Sequence, residues 1–318
     1  MILVTGGTGF VGSRLLKRLF EDGYKTRASV RSPLSVLPEG IQSILIDGMT
    51  ASTDWSSALK GVQAVIHCAS RVHVISDDAP ENLQLFRRVN VDGTLNLATQ
   101  AARSGVRRFV FVSSIKVNGE VTQPGHPFTA DDAVAPSDPY GLSKLEAETG
   151  LREIEAQSSM EVVIVRPPLV YGPGVKANFA SMMSWVASGI PLPLRSVYNY
   201  RSLVAVDNLI DLLVTCLKHP AAAGHIFLVS DGEDVSTTEL LWQTAKAMNK
   251  KVLLFPVPFF VLEFGAALLG KREVAQRLLC SLQVDIKKTS VLLGWNPPLT
   301  LVEGLKKAVE GRSSETVI

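Results

Sequence analysis

Thr5-Gly6-Gly7-Thr8-Gly9-Phe10-Val11-Gly12 follows a short apolar run, Ile2-Leu3-Val4, and leads into an amphipathic run through Leu15, Leu16, Leu19 and Phe20. Strand, glycine turn and helix succeed one another within the first 20 residues. The glycines at 6, 9 and 12 are spaced G-x-x-G-x-x-G, not G-x-G-x-x-G. The physics is shared: a turn without Cβ, close approach of backbone to a pyrophosphate, and a phosphate held at a helix N-terminus. The stretch predicts a dinucleotide site made by Gly6, Thr8, Gly9, Phe10, Val11 and Gly12, at the start of an α/β parallel sheet.

The next strands extend that reading. A carboxylate ending the second, residues 26–31, would accept the ribose hydroxyls of NAD. Val30 is followed instead by Arg31 and Ser32, and a guanidinium suits a 2′-phosphate, so NADP is the expected cofactor and NAD the alternative. Strand three (43–46) delivers Asp47 and Gly48 to the adenine edge. Strand four (62–66) leads into His67-Cys68-Ala69-Ser70, where the small side chains of Cys68, Ala69 and Ser70 let backbone lie against the cofactor. His67 is expected to be a satisfied strand-end histidine. A long helix over 81–103 carries Asn90, unfavourable on propensity, which either holds a relay water toward Lys144 or faces solvent. Strand five (108–112) ends in Val112 and delivers Ser113 and Ser114 to the carboxyl edge, where open parallel sheets bind ligands.

Pro139-Tyr140-Gly141-Leu142-Ser143-Lys144 opens a further helix, with Tyr140 and Lys144 four residues apart on one face. A free phenol titrates near pKa ~10. A neighbouring ammonium favours the phenolate and moves it toward the range useful for proton transfer. Tyr-x-x-x-Lys alone is common on solvated helices. Here it follows a phosphate loop and a strand-end serine, and that order makes it specific.

In TGGTGFVG (5–12), HCAS (67–70), NVDGTLNL (90–97), FVSS (111–114), YGLSK (140–144), RPPLVYGPG (166–174), RSLVAVDNL (201–209) and LGWNPPLTLVEGL (293–305), the chain resembles the extended short-chain dehydrogenases/reductases. The branch is that of nucleotide-sugar epimerases, dehydratases and reductases, and the resemblance runs nearly end to end. It implies a Rossmann-type doubly wound parallel sheet over 1–168 and a smaller mixed α/β substrate-binding lobe over 169–318, with about 203–235 returning to the first sheet. It also implies catalytic roles for Ser114, Tyr140 and Lys144, supported by Asn90. Ser114 is preferred to Ser113 because Val117-x-Gly119 matches the Val-Tyr-Gly that follows the family's catalytic residue. Asn118 replaces that tyrosine and is expected on the substrate side.

After the sixth strand (162–165), the prolines and glycines of 166–174 favour a tight loop, which suits one crossing a nicotinamide through Pro167 and Val170. Asn178 and Phe179 open a helix whose free amides suit a diphosphate. Arg201 matches the family arginine that holds the nucleotide diphosphate, with Arg277 as a second basic contact. Asp285 reads as a helix cap.

The chemistry implied is hydride transfer at a sugar C4. Ile115-Lys116 stand where dehydratases carry Asp-Glu, which sets dehydration aside. SSIKVNGE (113–120), GPGVKANF (172–179), YNYRSLVAVDNL (198–209) and RLLCSLQVD (277–285) are similar to bacterial reductases of UDP-4-keto-6-deoxy-N-acetylhexosamines in O-antigen and capsule synthesis. With Arg31, they make NADPH-dependent 4-ketoreduction the leading expectation. The alternative is a UDP-hexose or UDP-N-acetylhexosamine 4-epimerase with retained NAD. A non-catalytic scaffold on the same fold would have lost the Tyr140/Lys144 pair.

Of the 318 residues, 46% are hydrophobic and 19% charged, with a net charge of +2 and only scattered Lys/Arg doublets, which argues against a nucleic-acid partner. Cys68, Cys216 and Cys280 are far apart and read as reduced thiols; no metal site is expected. With a strand starting near Met1 and no export signal before it, a cytoplasmic location is expected. Residues 252–269 are strongly apolar but interrupted by two prolines and Glu263. They are expected to form a buried strand end and a core or lobe helix, with peripheral membrane contact the lesser reading. The resemblance further implies a homodimer through the helices at 83–102 and after Tyr140, offering Leu85, Phe86, Val89, Leu95, Leu97 and Ala101.

Overall fold

In the computed structural model, which describes residues 1–72 and 80–315, the first half of the chain alternates strands and helices. In order they are β1 (Ile2–Thr5), α1 (Phe10–Glu21), β2 (Thr26–Val30), β3 (Gln42–Leu45), α2 (Ser56–Leu59) and β4 (Ala64–His67). There follow α3 (Pro80–Phe86), a π-helical turn (Arg87–Asp92), α4 (Gly93–Arg103), β5 (Arg108–Val112), α5 (Pro139–Ala156) and β6 (Glu161–Arg166). The second half holds β7 (Leu169–Tyr171), α6 (Ala177–Ser188), β8 (Arg201–Ala205), α7 (Val206–Lys218), β9 (Ile226–Leu228), β10 (Asp234–Val235) and α8 (Thr237–Ala247). It ends with α9 (Phe259–Leu268), α10 (Arg272–Leu279), α11 (Lys287–Leu293) and α12 (Leu301–Glu315).

The larger sheet runs β3-β2-β1-β4-β5-β6-β9, every pair parallel. β1, β2 and β4 are buried along their whole length, as a parallel sheet covered on both faces requires. One core joins α1 and α7 through Leu15, Leu16, Leu19, Leu209 and Leu213. The opposite core holds Phe109, Phe111, Leu97 and Leu151. The fold is of the Rossmann type, as expected.

β10, β8 and β7 form a separate small sheet. Of residues 203–235, therefore, only β9 pairs into the larger sheet; β8 and β10 do not. The lobe has its own core, built from α6, α8 and α12 with Phe179, Met183, Leu241 and Leu305.

Two local expectations need correction. The long helix is broken at Arg87–Asp92 by the π-helical turn, and Asn90 sits in it. The run 252–269 forms no buried core helix: none of the ten residues of α9 is buried, because other helices already fill the lobe core and only Leu262 leans against it.

Candidate active site

The glycine turn is closed to side chains. A Cβ on Gly6, which adopts φ +71°, would stand 2.7 Å from the Ala69 backbone nitrogen, and one on Gly12 would stand 2.2 Å from the Gly6 carbonyl oxygen. Gly9 caps α1 without a side-chain bond, so the first-turn amides at Phe10 and Val11 have no side-chain acceptor. Thr8 is exposed beside them. This cradle fits a dinucleotide pyrophosphate. Arg31 and Asp47 stand exposed just beyond the adjacent strands β2 and β3, followed by Gly48 at φ +141°. Arg31 has no ion-pair partner among the described residues.

At the exit of β4, His67 lies between Thr5 Oγ1 at 2.6 Å and Thr94 Oγ1 at 2.9 Å, and burial, then Lys144, lowers its pKa to about 3. It is a neutral, satisfied strand-end residue. Cys68, Ala69 and Ser70 follow, half-buried, and the Ala69 amide donates to Thr5 Oγ1 at 3.2 Å. Burial pushes the Cys68 thiol up to about 12, so it is not a nucleophile at neutral pH.

Asn90 is 1% exposed, and its amide is fully used. Oδ1 accepts from Ser70 Oγ at 3.0 Å and the Arg71 amide at 2.8 Å; Nδ2 donates to Arg71 O and Ser143 Oγ, both at 3.0 Å. Ser143 in turn donates to Tyr140 O at 2.8 Å. Asn90 thus clasps the first turn of α5, and its side chain has no free group for a relay water.

Asp138 accepts from the Gly141 amide at 2.6 Å and Pro139 follows it at the helix start, so α5 begins where Tyr140 is needed. Lys144 is 2% exposed. Its Nζ donates to Val112 O at 2.9 Å and lies 4.4 Å above the Phe111 ring, but 6.0 Å from the Tyr140 ring centre. Burial lowers its pKa to about 8, against the pull of Glu148. Burial also raises the Tyr140 phenol to about 12; a Ser70 hydrogen bond lowers it and Asp138 raises it further. This reverses the expected depression of the phenol, because burial penalises the phenolate and Lys144 is held toward Val112 and Phe111.

Ser114 follows two residues after Val112, half-buried and extended, its Oγ accepting the Lys116 amide at 3.2 Å. Ser113 is buried and donates to Glu148. Of the two serines, Ser114 is the more accessible.

Behind these groups lies a network that sequence reasoning missed. Arg166, 2% exposed, donates from Nε to Glu148 Oε1 at 3.0 Å, from Nη2 to Oε2 at 2.5 Å and from Nη1 to Asn118 Oδ1 at 2.9 Å. Asn118 is 1% exposed and also donates to Thr129 O at 2.9 Å. Asn118 therefore braces the interior and, at 1% exposure, does not line an open substrate surface, contrary to expectation. The signal for Glu148 was present: it stands one turn after Lys144 on the same helix face.

On the lobe side, Pro167 is buried and its carbonyl accepts the Ile115 amide at 3.0 Å; Val170 is half-buried. A Cβ on Gly172 would stand 2.5 Å from Val206 and 3.7 Å from Phe10, which brings this loop beside the glycine turn. α6 starts without a side-chain cap, at Ala177 in a left-handed φ of 57°, with Asn178 exposed and Phe179 stacked on Tyr171 at 5.1 Å. Arg201 donates to Cys280 O at 3.3 Å; burial lowers its pKa and nearby Arg277 lowers it further. Two neighbouring guanidiniums repel unless an anion joins them. Arg277 is itself paired with Glu273 at 2.8 Å. Asp285 Oδ1 accepts the Lys287 amide at 2.6 Å, a cap on α11. The contacts therefore gather Ser70, Asn90, Val112, Tyr140 and Lys144 in one place, with Ser114 on the same strand exit, while Arg201 and Arg277 lie in the lobe. Among the described residues no group of three or more His, Cys, Asp or Glu could hold a metal ion.

Residues 2–230 match the model of the NAD dependent epimerase/dehydratase family. The chain belongs to that family. A UDP-glucose 4-epimerase of Vibrio cholerae is 51% identical over 97% of this chain and 94% of its own. An Escherichia coli O157:H7 protein, N-acetyl-alpha-D-glucosaminyl-diphospho-ditrans,octacis-undecaprenol 4-epimerase, is 26% identical over 97% of this chain and 94% of its own. The Bacillus cereus UDP-glucuronic acid 4-epimerase, solved with UDP-glucuronic acid and NAD, superposes with a TM-score of 0.79 over 99% of both chains at 21% identity. That last likeness concerns the fold alone. The chain is an extended short-chain dehydrogenase/reductase of the NAD-dependent epimerase/dehydratase type.

Proposed function

We propose that this protein is a UDP-hexose or UDP-N-acetylhexosamine 4-epimerase working with a retained NAD. The observation that carries the reading is the 51% identity to the V. cholerae UDP-glucose 4-epimerase over 97% of the chain, and Tyr140 with Lys144, beside the strand exit that carries Ser114, is consistent with it. It exchanges the order of the two expectations drawn from the sequence. The glycine turn and the loop through Pro167 and Val170 would hold the cofactor, which would supply the hydride acceptor and donor for C4. Tyr140, in its minor phenolate form for which Lys144 is the neighbouring cation, takes the C4 hydroxyl proton and gives it back, while Ser114 donates to the same oxygen. Asn90 and the Glu148–Arg166 pair hold these groups in place. Arg201, with Arg277, neutralises the diphosphate, and the uncapped start of α6 at Asn178 adds amides.

One observation favours 4-ketoreduction with NADPH instead: Arg31 is exposed beyond β2, and no carboxylate stands there. A single experiment separates the two. Mass spectrometry identifies any nucleotide retained by the purified protein, and NMR follows C4 of UDP-glucose and UDP-N-acetylglucosamine without added cofactor. Because the E. coli relative is named for a polyprenol-linked sugar, that substrate is assayed beside them. Retained NAD and conversion at C4 support the epimerase. A UDP-4-keto-sugar reduced with stoichiometric loss of NADPH, and no conversion without it, would replace that reading. A homodimer is part of the proposal, although Phe86, Leu97 and Ala101 are already buried within one chain; light scattering tests it.

A further inference from the structure

Among the described residues, α9 is the one helix without a buried residue. Phe260, Phe264 and Leu268 recur every four residues, a single stripe along the helix, and are 70%, 66% and 73% exposed. Val261 widens the stripe, Leu269 follows at 74%, and Leu253 and Phe255 are exposed at its approach. On the other side Leu262 leans on the lobe core. Glu263 lies off the stripe, about 100° round the axis from Phe264. A helix this apolar is expected inside a core or against lipid.

The charges around it indicate which. Lys250 and Lys251 precede the apolar run, and Lys271 and Arg272 follow it, all exposed. Residues 250–277 hold five cations against two carboxylates, an excess of three in a chain whose net charge is +2. Apolar side chains between cations match a bilayer interface, where the stripe enters the acyl boundary and the cations meet phosphates. A second copy is a poorer occupant, since a two-fold contact would set this cationic rim against itself. Spanning is excluded for α9: its 10 residues fall well short, and no described helix is long and apolar enough to cross a membrane.

We propose that α9 and its flanking cations dock this protein peripherally on an anionic phospholipid surface. α9 packs on α10, which carries Arg277.

The test is co-sedimentation of the full chain with vesicles of phosphatidylcholine, with and without phosphatidylglycerol. The parent is expected to bind the anionic vesicles and only weakly the neutral ones. Phe260→Ser with Phe264→Ser lowers partitioning at least about tenfold. Lys271→Glu with Arg272→Glu, confined to exposed positions, lowers the preference for anionic vesicles by about fivefold for each cation lost. Thermal melting and turnover of a soluble UDP-sugar, measured without vesicles, confirm that each variant is folded. They also keep the vesicle result independent of which 4-position reaction the site performs. Absence of parental binding, or binding unchanged in both variants, overturns the proposal. So does conversion of a dimer to monomers by the phenylalanine changes with vesicle binding unaltered, which assigns the stripe to a second copy.

Discussion

The carboxyl edge of the large sheet and the outer face of the lobe treat polarity in opposite ways. At the centre of the sheet edge, polar groups are buried and each has a partner: Lys144 with Val112 O, Arg166 with Glu148 and Asn118, neutral His67 between two threonines. On the lobe, apolar side chains of α9 meet water between exposed cations. An edge whose polar groups are mutually satisfied has one arrangement and suits positioning of a reacting atom. A face with unmet apolar surface and flanking cations suits binding. The comparison therefore assigns chemistry to the first region and recognition to the second.

The largest effect is expected at the centre of the buried edge. Tyr140→Phe removes the proton-transferring hydroxyl and keeps the ring against Phe86. Turnover should fall by about 10²–10⁴-fold, with the melting temperature and retained nucleotide unchanged. Near-parental turnover would break the assignment of chemistry to this edge.

The next prediction concerns stability and sets the two regions against each other. Arg166→Met leaves the Glu148 carboxylate buried without its ion partner, which costs about 3–5 kcal/mol. In Arg277→Ala the lost partner, Glu273, is exposed, and stability should change by less than about 1 kcal/mol while KM for the UDP-sugar rises. Urea unfolding and steady-state kinetics on both variants read the contrast. Equal destabilisation would mean that the lobe arginine is structural after all.

The sequence revealed these regions unequally, for a physical reason. The first six strands, the glycine turn and the Tyr140/Lys144 spacing are local patterns, and they appear where expected. The brace behind them was only half visible. Glu148 shares a helix face with Lys144, but Arg166 reaches it from the next strand, a pairing that only the folded sheet creates. Asn90 was found, yet the π-helical turn that turns it inward shifts register without changing composition. Tyr140 shows the same limit in its proton affinity: the chain names Lys144 as a neighbour but does not state how deeply both are buried. Composition likewise marks 252–269 as apolar without saying whether anything covers it.

Lys144 converts that burial into a pH dependence. Its pKa in the fold is about 8, below the ordinary 10.5, so holding it charged opposes folding at neutral pH. Between those values the unfolded chain binds more protons than the native one, and stability rises with pH. Relative to Lys144→Met, which removes the group, the parent should gain roughly 3 kcal/mol from pH 7 to beyond pH 10. Tyr140 acts with the opposite sign only above its ordinary value of 10, where the unfolded phenol ionises first. Denaturant unfolding at pH 7 and pH 9.5 measures the Lys144 effect. A parent whose stability relative to Lys144→Met is flat across that interval would show that the ammonium is solvated, and the edge less dry than its 2% exposure indicates.

The smallest effect is expected at Arg31, and it bears on which reaction the buried edge serves. The guanidinium is exposed just beyond β2, where a 2′-phosphate would lie in an NADP enzyme. If the site holds NAD, Arg31 faces only ribose hydroxyls, and Arg31→Ala should change turnover and nucleotide retention by no more than about twofold, or ~0.4 kcal/mol. If NADPH is consumed, the same change removes a charge-assisted contact of about 1.5–3 kcal/mol, and KM for NADPH rises about 10- to 150-fold. Measuring both cofactors against parent and variant therefore reads the chemistry from a residue that takes no part in it. A rise in KM confined to NADPH would move the protein from epimerase to reductase while leaving Ser114, Tyr140 and Lys144 in the same roles.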